Sequence, residues 1–534
     1  MSLDRVYIYD TTLRDGAQTS GVDFGPGDKQ AIARELDQLG VDYVEGGWPG
    51  ANPTDDSFFG DLPRLDHARI ATFGMTRRAG NDAATDPGLN ALLGTEAKVV
   101  CMVGKAWDYH VDVALGISRA ENLAMIRDSV AYAATQMDEV LFDAEHFFDG
   151  FKANPEFAIA CVHAALDGGA RWVVLCDTNG GTLPYEIGQI VTQVCTKMPG
   201  EKVGIHCHDD TGNAVANSLA AVRCGARMVQ GTINGLGERC GNANLVSVIP
   251  TLMLKMNFDT GVGADGLKTL RHISNALDER LNRAPDRHRP YVGEAAFAHK
   301  GGLHVSAVEK DPRSYEHVDP ESVGNRRAIL VSDQAGRANI LARLREIGLD
   351  VDAKDHRLTT LLDTVKANEM RGYSYDGAAA SFDLLARRVL GEVPEYFRCT
   401  SFRVLDERHW NDVDEVVTLS EATVKLAVKT GAEMAVAEGN GPVNALDAAL
   451  RKVLLPLYPS LLDLRLTDYK VRILTPGDAT AAVTRVLIES TDGSGAHWTT
   501  VGVSANVIDA SYNALRDSIV YKLLRDGATD ASKI

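Results

Sequence analysis

The feature that most constrains this chain is an alternation repeated through its first 240 residues. Short apolar runs recur at near-regular intervals: RVYIYD (5–10), DYVEGG (42–47), RIATFG (69–74), KVVCMV (98–103), EVLFDA (139–144), WVVLCD (172–177), KVGIHC (202–207) and RMVQGT (227–232). Each is the length of a strand and rich in Val, Ile and aromatic residues. Between them lie patterns such as DKQAIARELDQLG (28–40) and NAVANSLAAVRCG (213–225), with apolar residues at helical spacing and a closing glycine. Strand then helix, eight times over, fits a doubly wound open sheet or a closed barrel. Eight similar units in so short a span favour the barrel, a (β/α)8 TIM barrel of class α/β.

That frame orders the polar residues. Arg14 and Asp15 follow the first run, and Glu45 sits near the end of the second. Glu145 follows the fifth, and Asp177, Thr178 and Asn179 close or follow the sixth. His206 and His208 end the seventh, and Asn234 and residues 238–242 follow the eighth. All fall at carboxyl ends, where barrels carry their chemistry. In GIHCHDD (204–210) the two histidines share a strand face. Two protonated imidazoles there repel; a divalent ion uses the neutral ring nitrogens of both. A polar strand end facing water is the plainer reading, and the position at a barrel mouth favours the metal. Asp15, His206 and His208 supply a carboxylate and two imidazoles, and Asn242 can add an amide oxygen. Mixed nitrogen and oxygen donors suit Mg, Mn or Zn. Cys240 either tilts the choice toward zinc or is a small packed residue. NGLGERCGN (234–242) does not match G-x-G-x-x-G, so a dinucleotide fingerprint is rejected.

At 534 residues the chain needs two or three domains. A net charge of −18, from 55 basic and 73 acidic residues, disfavours nucleic acid and anionic membrane as partners. No apolar run is long enough to span a bilayer, the amino terminus lacks a signal pattern, and the eight cysteines form no C-x-x-C. These features read as a cytoplasmic protein with reduced thiols. The expected division is a barrel at 1–270, a helical linker subdomain at 271–395 and an α+β domain at 396–534. Residues 268–296 look helical and then loop-like, and 335–395 read as mostly helical, as in ANILARLREIGL (338–349) and TTLLDTVKANEM (359–370). The last segment combines a helix in 437–457 and another at 513–525 with strands at 423–428, 468–476, 482–491 and 497–504.

Together YDTTLRDGAQ (9–18), EGGWPG (45–50), CDTNGG (176–181), the H-x-H strand and QGTINGLGERCGNAN (230–244) resemble the acyl-CoA-condensing synthases of the DRE-type metal-dependent barrels. That family includes 2-isopropylmalate, homocitrate and citramalate synthases. EGGWPGANPTD (45–55), FFDGFKANP (147–155) and residues 291–327 resemble its citramalate-forming branch. The similarity runs nearly end to end.

The resemblance implies condensation of acetyl-CoA, the co-substrate, with pyruvate, then thioester hydrolysis to citramalate, on a route to isoleucine through 2-oxobutanoate. By motif position, Asp15, His206, His208 and Asn242 are the metal ligands. Arg14 stabilises the growing negative charge, Glu45 holds Arg14, and Thr178 either binds the pyruvate carboxylate or caps the following turn. Glu145 and His304, with Tyr315, serve proton transfer; His299 is the more structural of the two histidines in HKGGLH (299–304). Lys300 either contacts a CoA phosphate or is solvated. GNGPVNALDAAL (439–450) and VGVSANVIDAS (501–511) resemble the family's regulatory domain, which implies a homodimer or higher homo-oligomer with isoleucine as feedback inhibitor. One departure stands out: the chain reads HCHDD where many relatives read H-x-H-N-D, which puts Asp209 near the ligands. Met102 and Phe142 are candidates for the substrate-pocket wall, or core. The competing readings are a 2-isopropylmalate or homocitrate synthase with a larger 2-oxo acid, a metal-dependent C–C lyase, and a non-catalytic metabolite sensor.

Overall fold

A computed structural model describes residues 4–329, 337–410, 416–428, 431–475 and 481–529. Of the sequence expectations, residues 335–336 of the helical stretch and Pro476 of the strand at 468–476 lie outside the described residues. The chain forms two compact units: the first runs through Phe297 and adds His317–Arg327, and the second takes Ala298–Glu316 and the chain from Ala328 onward.

In the first unit eight parallel strands close into a barrel in sequence order. They are β1 (Tyr7–Asp10), β2 (Tyr43–Gly47), β3 (Arg69–Met75), β4 (Val99–Lys105), β5 (Glu139–Glu145), β6 (Trp172–Asp177), β7 (Val203–Cys207) and β8 (Met228–Gly231). The expected TIM barrel is the observed fold. Proline opens several of the intervening helices, at Pro26, Pro53, Pro87, Pro155 and Pro184, where a missing N–H costs no hydrogen bond. Asn52, Asp86 and Asn154 cap three of these with side-chain oxygens. Helix Pro26–Leu39 ends on Gly40 at φ 96°, a left-handed stop that glycine adopts without strain.

Both strand faces are buried, as a parallel sheet wrapped in helices requires. Tyr9, Val99, Cys101, Leu141, Trp172, Val174 and Met228 fill the barrel interior. Ile8, Val100, Met102, Phe142, Val173, Ile205 and Val229 pack outward among the helices. Met102 and Phe142 are therefore helix-side core and not pocket wall. Their strand neighbours Val103 and Asp143 face the interior and line the cavity at the barrel mouth.

The second unit opens with a two-residue pairing of β9 (Ala298–His299) with β10 (Ala328–Ile329). Helices Gly302–Lys310, Arg337–Glu346, Arg357–Met370 and Ala379–Leu390 follow in this unit. Its remainder is a duplicated three-strands-then-helix pattern. β11 (Arg398–Trp410), β12 (Val416–Val428) and β13 (Gly431–Gly439) form an antiparallel sheet before helix Pro442–Leu454. β14 (Arg465–Ile473), β15 (Thr484–Thr491) and β16 (His497–Ser504) form another before helix Val507–Arg525. The two helices and the inner faces of both sheets share one core, including Leu446, Leu450, Val424, Ile488, Leu515 and Ile519. This agrees with the expected α+β C-terminal region. The sequence reading missed β11 and β13 and saw only the last residues of β12. Pro442 and Asn444 shape the turn into helix Pro442–Leu454, with the Asn444 side chain accepting from the Asn440 N–H at 3.1 Å.

Phe142 is fully buried and Gly104 leaves room for its ring. Phe142→Ala is expected to cost about 3–5 kcal/mol of stability and to leave the choice of substrate unchanged. Urea unfolding together with substrate competition checks both halves.

Candidate active site

A cavity of about 270 Å³ opens at the carboxyl end of the barrel. Its walls include Arg14, Asp15, Lys105, Glu145, Thr178 and the histidine pair. The residues singled out at the strand ends thus converge.

Asp15, His206 and His208 are buried, and their donor atoms lie within 4.8 Å of one another. The Oδ2 of Asp15 is 3.4 Å from the Nε2 of His206 and 4.0 Å from that of His208. The two Nε2 atoms are 3.3 Å apart. Asn242 reaches this group through backbone pairing. Residues 241–243 dock on the end of β7: Asp209 N–H donates to the Gly241 carbonyl, Ala243 N–H donates to that of Cys207, and His208 bridges Asn242. Gly241 takes φ 96° to allow this, and Gly237 packs so closely on the Asn242 amide that a Cβ would collide. The Asn242 amide donates to the Leu236 carbonyl at 3.2 Å, which leaves its oxygen uncommitted.

Several atoms here are buried without partners: Oδ1 of Asp15, Oδ1 of Asn242 and Nδ1 of His208. Orphaned buried oxygens beside an imidazole pair are costly unless a cation satisfies them. The electrostatics agree. Burial, and then repulsion from His206, lower the His208 pKa to about 4 against the pull of Asp15. Burial also lowers that of His206. Burial alone would raise Asp15, but Arg14 and then the two histidines outweigh it and hold the carboxyl below its ordinary value. A carboxylate beside neutral imidazoles is the protonation state a divalent ion needs, and the donor set fits one.

Arg14 lies between this group and the wall. Its Nε donates to Glu45 at 2.6 Å, its guanidinium is 3.5 Å from Asp15, and its Cζ stands 3.8 Å over the Phe73 ring. Tyr9 donates to the other Glu45 oxygen at 2.8 Å. Burial works against the Arg14 charge, but Glu45 and Asp15 outweigh it and raise its pKa. Thr178 does not cap a turn: its hydroxyl oxygen accepts the His146 backbone N–H at 2.9 Å, and it remains able to donate into the cavity. Asp209 accepts the Ala214 N–H at 2.8 Å at the start of helix Ala214–Arg223, and Asp210 pairs with Arg239. The HCHDD departure therefore serves a helix start. Cys240 is exposed, so it is neither packed nor part of the donor cluster.

His304 and Tyr315 belong to the second unit. Their rings stack at a centroid distance of 4.0 Å. His299 is buried 3.2 Å from Glu316, in keeping with a structural role. Lys300 pairs with Asp376 at 3.1 Å.

Three cavity or near-cavity residues escaped the sequence reading. Lys105 forms an ion pair with Glu145; the expected fourth strand stopped at Val103, two residues short. Gln230 bonds the Nδ1 of His206 at 2.9 Å, and its amide donates to Asp143 at 2.9 Å. Burial raises the Asp143 pKa to about 7. A lone acid or amide inside an apolar parallel strand is the signal that could have found both.

Comparison with known proteins decides the family. Residues 5–275 match the HMGL-like family, 291–371 the homocitrate synthase post-HMGL domain-like family, and 376–523 the LeuA allosteric (dimerisation) domain. The chain is 52% identical to the (R)-citramalate synthase of Aquifex aeolicus, over 98% of this chain and 98% of that protein. The chain belongs to the (R)-citramalate synthase family. Other members are similar over the same length: that of Geobacter sulfurreducens is 50% identical over 99% of both chains, and that of Synechocystis sp. 48% over 99% of this chain and 98% of that one. In this family member the barrel mouth holds the donor cluster, and the carboxyl-terminal part carries the allosteric-domain match.

Replacing Glu45 tests how the cluster is held. Glu45→Gln leaves the Arg14 charge buried with Asp15 as its remaining anion, and is expected to lower stability by about 3 kcal/mol. Urea unfolding checks this; a loss below about 1 kcal/mol, as for an exposed pair, would show that Asp15 alone suffices.

Proposed function

We propose that this chain condenses acetyl-CoA with pyruvate and hydrolyses the resulting thioester, giving (R)-citramalate and CoA. The near end-to-end identity to (R)-citramalate synthases carries the reading. The donor cluster at the barrel mouth supports it.

Asp15, His206, His208 and Asn242 would hold the divalent ion, with Mg, Mn and Zn all suited to the donors. Bound there, the ion supplies a Lewis acid that polarises the ketone of a 2-oxo acid. Arg14 is permanently charged, faces the cavity and is held from behind by Glu45. It stabilises the negative charge that grows on the ketone oxygen as carbon attacks. Thr178 offers its hydroxyl to the substrate carboxylate. Glu145, paired with Lys105 in the cavity wall, and His304 with its stacked Tyr315 serve proton movement. One abstraction must come from the acetyl methyl group, and one proton must leave the hydrolytic water.

The allosteric-domain match at 376–523 supports feedback regulation and a homodimer or larger assembly; isoleucine is the feedback ligand of this proposal. The division into a barrel at 1–270, a linker at 271–395 and a regulatory domain at 396–534 belongs to the same proposal. The cysteines are all free, which fits a cytoplasmic setting in an isoleucine-forming route. Among the described residues no helix is long and apolar enough to cross a membrane.

Purified protein given Mn and acetyl-CoA is expected to release CoA thiol with pyruvate and not with 2-oxoisovalerate or 2-oxoglutarate, and to slow when isoleucine is added. Release with 2-oxoisovalerate alone would reassign the chain to 2-isopropylmalate synthesis, and an isoleucine-insensitive rate would remove the effector assignment. His304→Ala is expected to keep Mn binding and lose turnover by roughly 100-fold or more, as for loss of a general acid or base. Unchanged turnover removes His304 from the mechanism.

A further inference from the structure

His206 can serve as a ligand through Nε2 only if the hydrogen of its neutral ring sits on Nδ1. Nothing in the ring itself enforces that choice. We infer that Gln230 and Asp143 are a positioning pair that fixes this form of His206, holding its Nε2 lone pair toward Asp15 and His208. The inference rests on the metal reading of that cluster.

The register supplies the placement. Gln230 on β8 lies directly beside His206 on β7. Its Oε1 is 2.9 Å from the Nδ1 of His206. An amide oxygen only accepts, so Nδ1 carries the hydrogen and Nε2 is bare, 3.4 Å from the Asp15 carboxylate. An amide turned end for end would present its NH2 to Nδ1, place the ring hydrogen on Nε2 and aim it at the donor cluster.

Asp143 blocks that turn. Its Oδ1 accepts from the Gln230 amide nitrogen at 2.9 Å. Turning the amide would set its carbonyl oxygen against the Asp143 carboxyl oxygen. Gln230 is 0% and Asp143 3% exposed. Metal-binding histidines commonly rest on a carboxylate or carbonyl partner. Here the partner is an amide whose direction is set by a carboxylate one residue further away.

The test reads His206 directly. Full-length, metal-free protein carrying 15N-labelled histidine is examined by NMR above neutral pH, with the His206 signal assigned by its loss in His206→Asn. A protonated Nδ1 with a bare Nε2 is expected; a hydrogen on Nε2 overturns the inference without touching the metal reading. Mn binding is then followed by the EPR signal of the free ion. Gln230→Met is expected to weaken binding by roughly 10–100-fold, with a lower thermal midpoint because Asp143 and the Nδ1 of His206 lose a buried partner. The double change Gln230→Glu with Asp143→Asn keeps an acceptor toward His206 and reverses the second bond, and is expected to restore binding. Wild-type affinity in Gln230→Met, or no recovery in the double variant, overturns the pair. Failure of the unaltered protein to bind Mn overturns the metal reading instead. Should Gln230→Met not fold, the NMR measurement decides.

Discussion

Closure of the eight-stranded sheet is the constraint on which the catalytic unit depends. A parallel sheet leaves unpaired backbone groups along its outer strands, and here β8 returns to pair with β1, so none of the eight is an edge. The helical crossovers send every strand in the same direction, and closure sets them around one axis. The polar residues at the strand ends are thereby collected at a single mouth, although β1 and β8 are separated by more than two hundred residues of sequence. Asp15 from one end of that span and Asn242 from the other can share a site only because the ring is complete.

Within the mouth the polar groups are arranged by rank. Glu45 and Tyr9 hold Arg14, Arg14 biases Asp15 toward its anionic form, and burial keeps His206 and His208 neutral. Arg14 and Asp15 each owe their charged state in part to the neighbouring group of opposite charge. Burial would be costly for any of these charges alone. Their mutual compensation leaves a residual deficit, the unpartnered oxygens of Asp15 and Asn242, and that deficit is what a cation is suited to fill.

Much of this was legible in the sequence because parallel strands buried on both faces read as compact apolar runs, and because site residues sit just where those runs end. The donor set Asp15, His206, His208 and Asn242 could be gathered on that basis alone. Other features were hidden for identifiable reasons. Met102 stands on β4, apolar on both faces through Val103, so the pattern does not reveal which face looks inward. On β5, Glu139, Asp143 and Glu145 share the face opposite Phe142 and could have revealed it. β11, RCTSFRVLDERHW, carries charged side chains through its length, and β13, GAEMAVAEG, is mostly Ala, Gly and Glu with little strand preference. Their pairing with β12 is a tertiary fact. The role of Gln230 depends on which strand lies beside β7 and on the orientation of one amide, which no linear pattern encodes.

The register of β7 against its neighbours has a consequence for assembly. His206 faces inward, while Ile205 and Cys207 face the helices. Slipping that strand by a single position would exchange the two faces, bury the imidazole among aliphatic side chains and scatter the donors. No partly formed version of the site exists on such a misthreaded barrel. On the proposed metal reading, capture of the ion would report correct threading, available to the finished ring and denied to its near misses.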